Sequence, residues 1–299
     1  MNITEIFRRL FPHYMDRISD TQLESMWKLY SAKLAKQELK KVAHQLKSSN
    51  SVQAKHMLHQ AFWEAWLACR LEDNGLQLGQ RTTGAGPDIE IKHGSNSIWI
   101  EAVAPSLDRA ALRETAKSRK QTAGYRNATP YLLRWSSAIA TKVKKFSDYH
   151  SAGRIKEYDA CVIAVNSALL GIEGQHGFSD HPTLVDIVMP VGAPYVTIDR
   201  KTGSIKNEGL SYTPKLDKVN RLGDEVEVPK GLFYSNTSKQ ISAVMSSNMT
   251  CFGPSVLPSP TLVLVHNPFA ATPLPKKLIS CDIEIMFERR DNAFHIEYL

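Results

Sequence analysis

The chain has 299 residues, 42% hydrophobic and 22% charged, with no low-complexity tract. That length suits one large domain or two ordinary ones with a sizeable core, and the composition excludes a disordered or fibrous protein. Its 37 Lys and Arg against 30 Asp and Glu leave a formal net charge of +7, which favours a polyanionic partner. In chain order, residues 3–10 and 20–48 read as helices, the second rich in Leu, Lys, Ala and Gln with Asp20 as its N-cap. Ser49-Asn50-Ser51 breaks it. Residues 52–72 form a third helix, dense in aromatics at Phe62, Trp63 and Trp66, and Asp73-Asn74-Gly75 stops it.

Three short strands follow, at 76–81, 88–92 and 97–103, the last two joined by a tight turn at His93-Gly94-Ser95-Asn96. Residues 106–129 are polar and basic. Pro130 opens a helix that runs to Tyr149, since proline suits a first helical turn. Residues 160–165 are a continuous apolar run, the pattern of a strand buried on both faces. Beyond Gly171, short β-like runs at 184–189, 195–198, 262–265 and 283–288 lie among turns and prolines. The expected organisation is a helical segment at 1–50, an α/β core at 51–170 and a β-rich region at 171–299.

Cys69, Cys161, Cys251 and Cys281 are scattered with no CxxC pair, so neither a zinc ribbon nor a disulfide framework is indicated. The first nine residues lack the apolar core of a signal peptide, and nowhere do 18 apolar residues run together. The expectation is a cytoplasmic protein with no membrane partner; a homodimer is compatible with it.

The chemistry concentrates at one hairpin. Asp88 begins one strand and Glu101 sits near the end of the other. A turn centred on Gly94-Ser95 sets Asp88 across from Glu101 or Ala102. Two carboxylates at one end of a hairpin suit a hard divalent cation, which prefers oxygen ligands and keeps several waters. A solvated turn Asp beside an exposed strand Glu is the other reading of such a pair.

Pro87-Asp88, the hairpin and Glu101 resemble the PD-(D/E)xK nuclease superfamily, whose restriction-endonuclease-like core runs αβββαβ, the order read for residues 52–166. The remainder, from Leu133 through HNPFAATPLP, is similar to uncharacterised bacterial proteins with such a core, and that similarity implies no chemistry. The resemblance implies an α/β fold with N-terminal helices and a β-rich C-terminal extension. It also implies a nuclease that uses Mg²⁺ or Mn²⁺, held by Asp88 and Glu101, to hydrolyse phosphodiester bonds in nucleic acid, DNA ahead of RNA. Glu64, in HQAFWEAW on the preceding helix, corresponds to a third acid that faces the metal in several members; an ordinary helix-surface acid is the alternative.

In one respect the chain departs from the pattern. The family's third motif residue, a lysine two positions after the glutamate, falls on Val103. Lys92 lies four residues beyond Asp88, about 13 Å away at ~3.3 Å per residue. A better substitute is the helix after the hairpin, where Arg134, Ala138 and Lys142 recur at i, i+4 and i+8 on one face. Members with a migrated lysine take it from this helix. Lys142 is therefore the expected catalytic lysine, its ammonium within roughly 4–6 Å of both carboxylates so that they hold it charged. Arg134 is expected on phosphate, and Lys144 and Lys145 read as surface charge.

Between these elements Arg109, Arg113, Lys117, Arg119, Lys120 and Arg126 face only Glu114, a balance that suits a phosphate backbone. Arg119 and Lys120 are the candidate nucleic-acid contacts there. Gln121-x-x-x-Tyr125 matches a motif of exonuclease-like members of the superfamily. His176 and His181 share a loop but lack further ligands. No GxSxG elbow, phosphate-binding loop or HExxH occurs. A catalytically inactive nuclease fold that binds nucleic acid or protein is the alternative to an enzyme.

Overall fold

The computed structural model describes residues 5, 19–33, 51–79, 86–106, 129–170, 181–212, 214–219, 225–249, 262–290 and 293–299. The first elements are helices α1 (Asp20–Ser31) and α2 (Ser51–Asp73). Then come strands β1 (Ile89–His93) and β2 (Asn96–Val103), helix α3 (Thr129–Ser151) and strand β3 (Ala160–Asn166). A short helix α4 (Thr183–Val188) follows. Strands β4 (Val191–Ile198) and β5 (Ile205–Tyr212) pair with each other, as do β6 (Lys215–Val219) and β7 (Glu225–Pro229). The chain closes with β8 (Ala243–Ser247), β9 (Val263–His266), β10 (Ile283–Arg290) and β11 (Ala293–Tyr298).

The protein is a mixed α/β structure around one seven-stranded sheet of order β1-β2-β3-β8-β9-β10-β11. β1 runs antiparallel to β2, while β2, β3 and β8 are mutually parallel. The strands of the C-terminal half thus continue the sheet begun by the hairpin. Alternation along the strands divides the core into two layers. Ile100, Ala102, Val162, Ala164, Met245 and Leu264 pack under α2. Cys161, Ile163, Val165, Val244, Val265 and Ile285 pack on the other face, with α3 and α4. The aromatic density of α2 is spent here: Phe62 and Trp63 are fully buried, and the Trp63 indole N–H donates to the Ala164 carbonyl at 3.2 Å.

Several expectations need correction. Over its described residues, 76–79, the strand expected at 76–81 is a single bridge, Leu78 to Ile91, flanked by the bonds Gly79 N–H to Glu90 O (2.8 Å) and Lys92 N–H to Gln77 O (2.9 Å). The 184–189 run is not β: residues 183–188 form α4, all six buried. A short apolar run buried all round has no periodicity to separate helix from strand. Pro182 stands just before α4, where a missing N–H costs nothing. The helix expected over 20–48 is described only as α1, and the one at 3–10 lies outside the described residues apart from Glu5. Among the described residues no helix is long and apolar enough to cross a membrane.

Candidate functional site on the β1–β2 hairpin

The hairpin turn is two residues, Gly94-Ser95, with Gly94 at φ 61°, the left-handed conformation that a tight hairpin demands and glycine adopts freely. Its register pairs Ile89 with Ile100, and continuing it by one residue sets Asp88 opposite Glu101. Asp88 Oδ2 accepts the Ala102 backbone N–H at 2.7 Å, which locks the carboxylate to β2. β2 is flanked on both sides, so Glu101 lies inside the sheet and not at its edge; its exposure is 0%.

A carboxylate so enclosed must be paired and hydrogen-bonded. Among the described residues its partners come from α3. Lys142 Nζ lies 2.5 Å from Glu101 Oε2 and 3.9 Å from Asp88 Oδ2. Lys145 Nζ lies 3.2 Å from the same Glu101 oxygen. The Tyr149 hydroxyl donates to Glu101 Oε1 at 2.8 Å and is also 3.2 Å from the Gly86 carbonyl, which ties α3 to the turn before Asp88. Ala138, one turn before Lys142, is buried and small, so the helix can approach the sheet closely.

Lys145 corrects the expectation of a surface charge. Burial is the largest single influence and works against its ammonium, yet Glu101, by charge and hydrogen bond, together with Tyr149 and Asp88 outweighs it, and the net direction is upward. Lys144 is the exposed one, paired with Asp148 at 4.0 Å. The signal for Lys145 and Tyr149 was present in the sequence: 138, 142, 145 and 149 follow the helical period, so the inward stripe continues past Lys142. Replacing Tyr149 with phenylalanine is expected to cost about 1–3 kcal/mol, because it leaves one oxygen of a fully buried carboxylate without a donor. Urea melts check it, and a melt matching wild type would deny the bond any weight.

On the opposite face α2 presents His56, Gln60 and Glu64 at i, i+4 and i+8. Gln60 acts as a clamp on the end of β2: its Oε1 accepts the Ala104 N–H at 2.6 Å and its Nε2 donates to the Ala102 carbonyl at 3.2 Å. The same amide donates to Glu64 Oε1 at 2.8 Å, and a His56 ring nitrogen lies 2.7 Å from the Ala104 carbonyl. Sequence reading missed Gln60 and His56, although a polar stripe on so apolar a helix was the available sign. Gln60→Ala is expected to destabilise the fold by about 1–3 kcal/mol through two orphaned backbone groups at the strand end; the midpoint of urea unfolding measures it.

Glu64, 8% exposed, is buried rather than a helix-surface acid, and it bears on Asp88 electrostatically. Burial first, then the negative charges of Glu64 and Glu101, push the Asp88 carboxyl up to about 7, while Lys142 pulls the other way. Among the described residues no three Asp, Glu, His or Cys side chains stand gathered in a ligating arrangement. The Arg134 guanidinium Nε donates to the Ser106 carbonyl at 2.7 Å, where the chain leaves β2. Lys92 is exposed and pairs with Glu90, away from the acids. His181 bonds the Tyr298 hydroxyl at 2.6 Å. Arg119, Lys120, Gln121, Tyr125 and His176 lie outside the described residues.

No family model, no curated protein and no solved structure matches the chain.

Proposed function

We propose that the hairpin site is that of a PD-(D/E)xK-type nuclease, a phosphodiesterase that requires Mg²⁺ or Mn²⁺ and acts on nucleic acid, DNA ahead of RNA. The carrying observation is the convergence of Asp88, just before β1, and Glu101, on β2, with the Lys142 ammonium of α3, at 3.9 and 2.5 Å. The element order supports it: helix, bridge, antiparallel hairpin, helix, then a strand parallel to the second hairpin strand. Lys142 then stands in for the lysine that Val103 displaces from the motif.

The donor chemistry fits a hard divalent cation. Asp88, Glu101 and Glu64 offer only carboxylate oxygens. Burial first, and then the Glu64 and Glu101 charges, raise the Asp88 carboxyl against the pull of Lys142. When bound, such a cation would offset charge on the phosphate and lower the pKa of its water. The chain's own residues do the rest. Lys142 donates to Glu101 and stands 3.9 Å from Asp88 as an ion pair, and a remaining N–H orients an attacking water. Lys145 and Arg134 extend the positive stripe of α3 along which a phosphate backbone lies. Tyr149 and Gln60 hold the two ends of the acid pair in register.

The test is cleavage of supercoiled plasmid and linear DNA with Mg²⁺ or Mn²⁺. Wild type is expected to cut and Asp88→Ala to be silent; no cutting by wild type, or equal cutting by both, overturns the reading. A second reading draws on the same contacts. Glu101 is already occupied by two lysines and a tyrosine, as in a silent nuclease fold that only binds. That reading expects salt-sensitive DNA binding unchanged in Asp88→Ala and no Mn²⁺ heat in calorimetry. The nuclease reading expects a Mn²⁺ site that Glu101→Ala removes.

A further inference from the structure

Two ammoniums share one oxygen of Glu101. Its Oε2 takes Lys142 at 2.5 Å and Lys145 at 3.2 Å, while Oε1 takes the Tyr149 hydroxyl at 2.8 Å. The two lysines are not equivalent. Lys142 also pairs with Asp88 at 3.9 Å, and its side chain is only 11% exposed. Among the described residues Glu101 is the one hydrogen-bond and ion-pair partner of Lys145, whose side chain is 45% exposed. One ammonium is therefore built into the acid pair, and the other reaches Glu101 from the rim.

We propose that Lys145 is a displaceable stand-in for the divalent cation: it neutralises Glu101 in the metal-free protein and turns out to water when the cation takes that carboxylate. The inference rests on the nuclease reading, since it requires a cation at Asp88 and Glu101. Charge balance supports it. Asp88, Glu101 and Glu64 carry three negative charges when ionised, and Lys142 with a divalent cation matches them; Lys145 is then surplus. The oxygens of Glu101 support it as well. Two ammoniums and a hydroxyl take three of the roughly four lone-pair positions of a carboxylate. An ammonium left on Oε2 would face a like charge across a site closed to water, where repulsion is strong.

Of the two lysines only Lys145 is free to go. Its head is a flexible ammonium on a four-carbon stem, so rotation of the side chain alone returns the charge to water while the stem stays on the helix. Lys144, the next residue, already stands in solvent. Departure of Lys142 would instead strand two carboxylates. Once released, Lys145 belongs to the stripe of α3 that the nuclease reading gives to phosphate. The filled state of Glu101 is thus a closed site rather than a dead one, and this separates it from the silent fold, in which Lys145 never leaves.

Amine acylation of the full-length wild type, read residue by residue by mass spectrometry with and without Mn²⁺, tests the movement. A lysine tied to a carboxylate reacts slowly and one in water reacts fast. Lys145 labelling should rise several-fold with Mn²⁺, Lys144 should stay constant as the internal reference, and Asp88→Ala should show no rise. Mn²⁺ calorimetry tests the competition. Lys145→Met keeps the stem and removes the ammonium, so it should bind Mn²⁺ about tenfold more tightly than wild type, which offers Glu101 only in a minor open fraction. Circular dichroism checks that this variant is folded; the wild-type labelling decides without it. Mn²⁺ binding to wild type with Lys145 still protected overturns the stand-in and leaves the metal site in place, as does a folded Lys145→Met that binds no tighter. No Mn²⁺ heat in either protein overturns the stand-in and the nuclease reading together.

Discussion

Lys142→Ala is expected to abolish metal-dependent cleavage and to destabilise the fold at the same time. The two effects share one cause. Glu101 is fully buried and its shortest ionic contact is the Lys142 ammonium at 2.5 Å. Breaking a buried pair by removing one member typically costs about 3–5 kcal/mol, because the remaining charge is stranded. Lys145 at 3.2 Å and Tyr149 at 2.8 Å still serve Glu101, so a loss of about 2–3 kcal/mol is expected here. A lysine that is no metal ligand would cost little folding stability on removal if it stood in solvent; the enclosure of Glu101 makes Lys142 structural as well.

Lys142→Arg separates the roles. It keeps the positive charge, so much of the stability should return, but a planar fork cannot reproduce the point donor that the proposed nuclease reading assigns to the water. The double variant Lys142→Met with Glu101→Gln removes both charges and should be more stable than Lys142→Ala, a non-additivity that reports their coupling. Single-turnover plasmid cleavage and urea melts measure the two effects independently. Wild-type cleavage by folded Lys142→Ala would end the catalytic role, whereas an unchanged melt would end the structural one.

The second large effect is on pH dependence, read in metal-free protein with chelator present. Asp88, whose side chain is 17% exposed, is raised from 3.8 to about 7. Between those values the folded protein keeps a proton that the unfolded chain has released, so this group makes stability fall as pH rises through the window. His59, a buried residue of α2, moves the opposite way: burial pulls it from 6.5 to about 4, against the influence of Asn166. The unfolded chain there takes up a proton first, so this group makes stability fall as pH drops from 6.5 to 4. The two slopes oppose each other over nearly the same range, and wild type should be close to flat between pH 4 and pH 7 on their account.

Asp88→Asn uncovers the imbalance. The amide oxygen still accepts the Ala102 N–H, but the charge is gone. At pH 8 the variant should exceed wild type by up to ~4 kcal/mol, the amount that a gap of roughly three pH units carries at ~1.36 kcal/mol per unit, with the Lys142 attraction already counted in that gap. Towards pH 4 the advantage should vanish and the His59 slope should appear alone. Thermal melts across pH read both. Added Mg²⁺ should raise the wild-type melting temperature at pH 8 and leave Asp88→Asn unmoved, a response that needs no cleavage to be seen.

How much of this was legible in the chain divides along one physical line. Local chemistry wrote the hairpin: Gly94-Ser95 forces a two-residue turn, the turn sets the register, and the register brings Asp88 level with Glu101. Periodicity along α3 pointed Arg134, Ala138 and Lys142 one way, and a hydrophobic strand carrying one acid announced that something covers it. The unbroken apolar run of β3 declared a strand buried on both faces. These features depend on neighbours within a few residues, where turn chemistry and helical period leave few alternatives.

What only the tertiary structure decided depends on long-range burial. Whether 183–188 winds into a helix was undecidable from an apolar run that is covered on every side. Lys145 sat on the right stripe yet read as solvent-facing, because the same spacing occurs on any basic helix; only the depth of Glu101 pulls it inward. Gln60 became a clamp only once α2 was laid against the end of β2. The C-terminal strands β8 to β11 joined the hairpin's own sheet through pairings with β3 that bridge some eighty residues of chain. Such contacts form because the sheet must bury both of its faces, a constraint set by the whole core and by no local stretch.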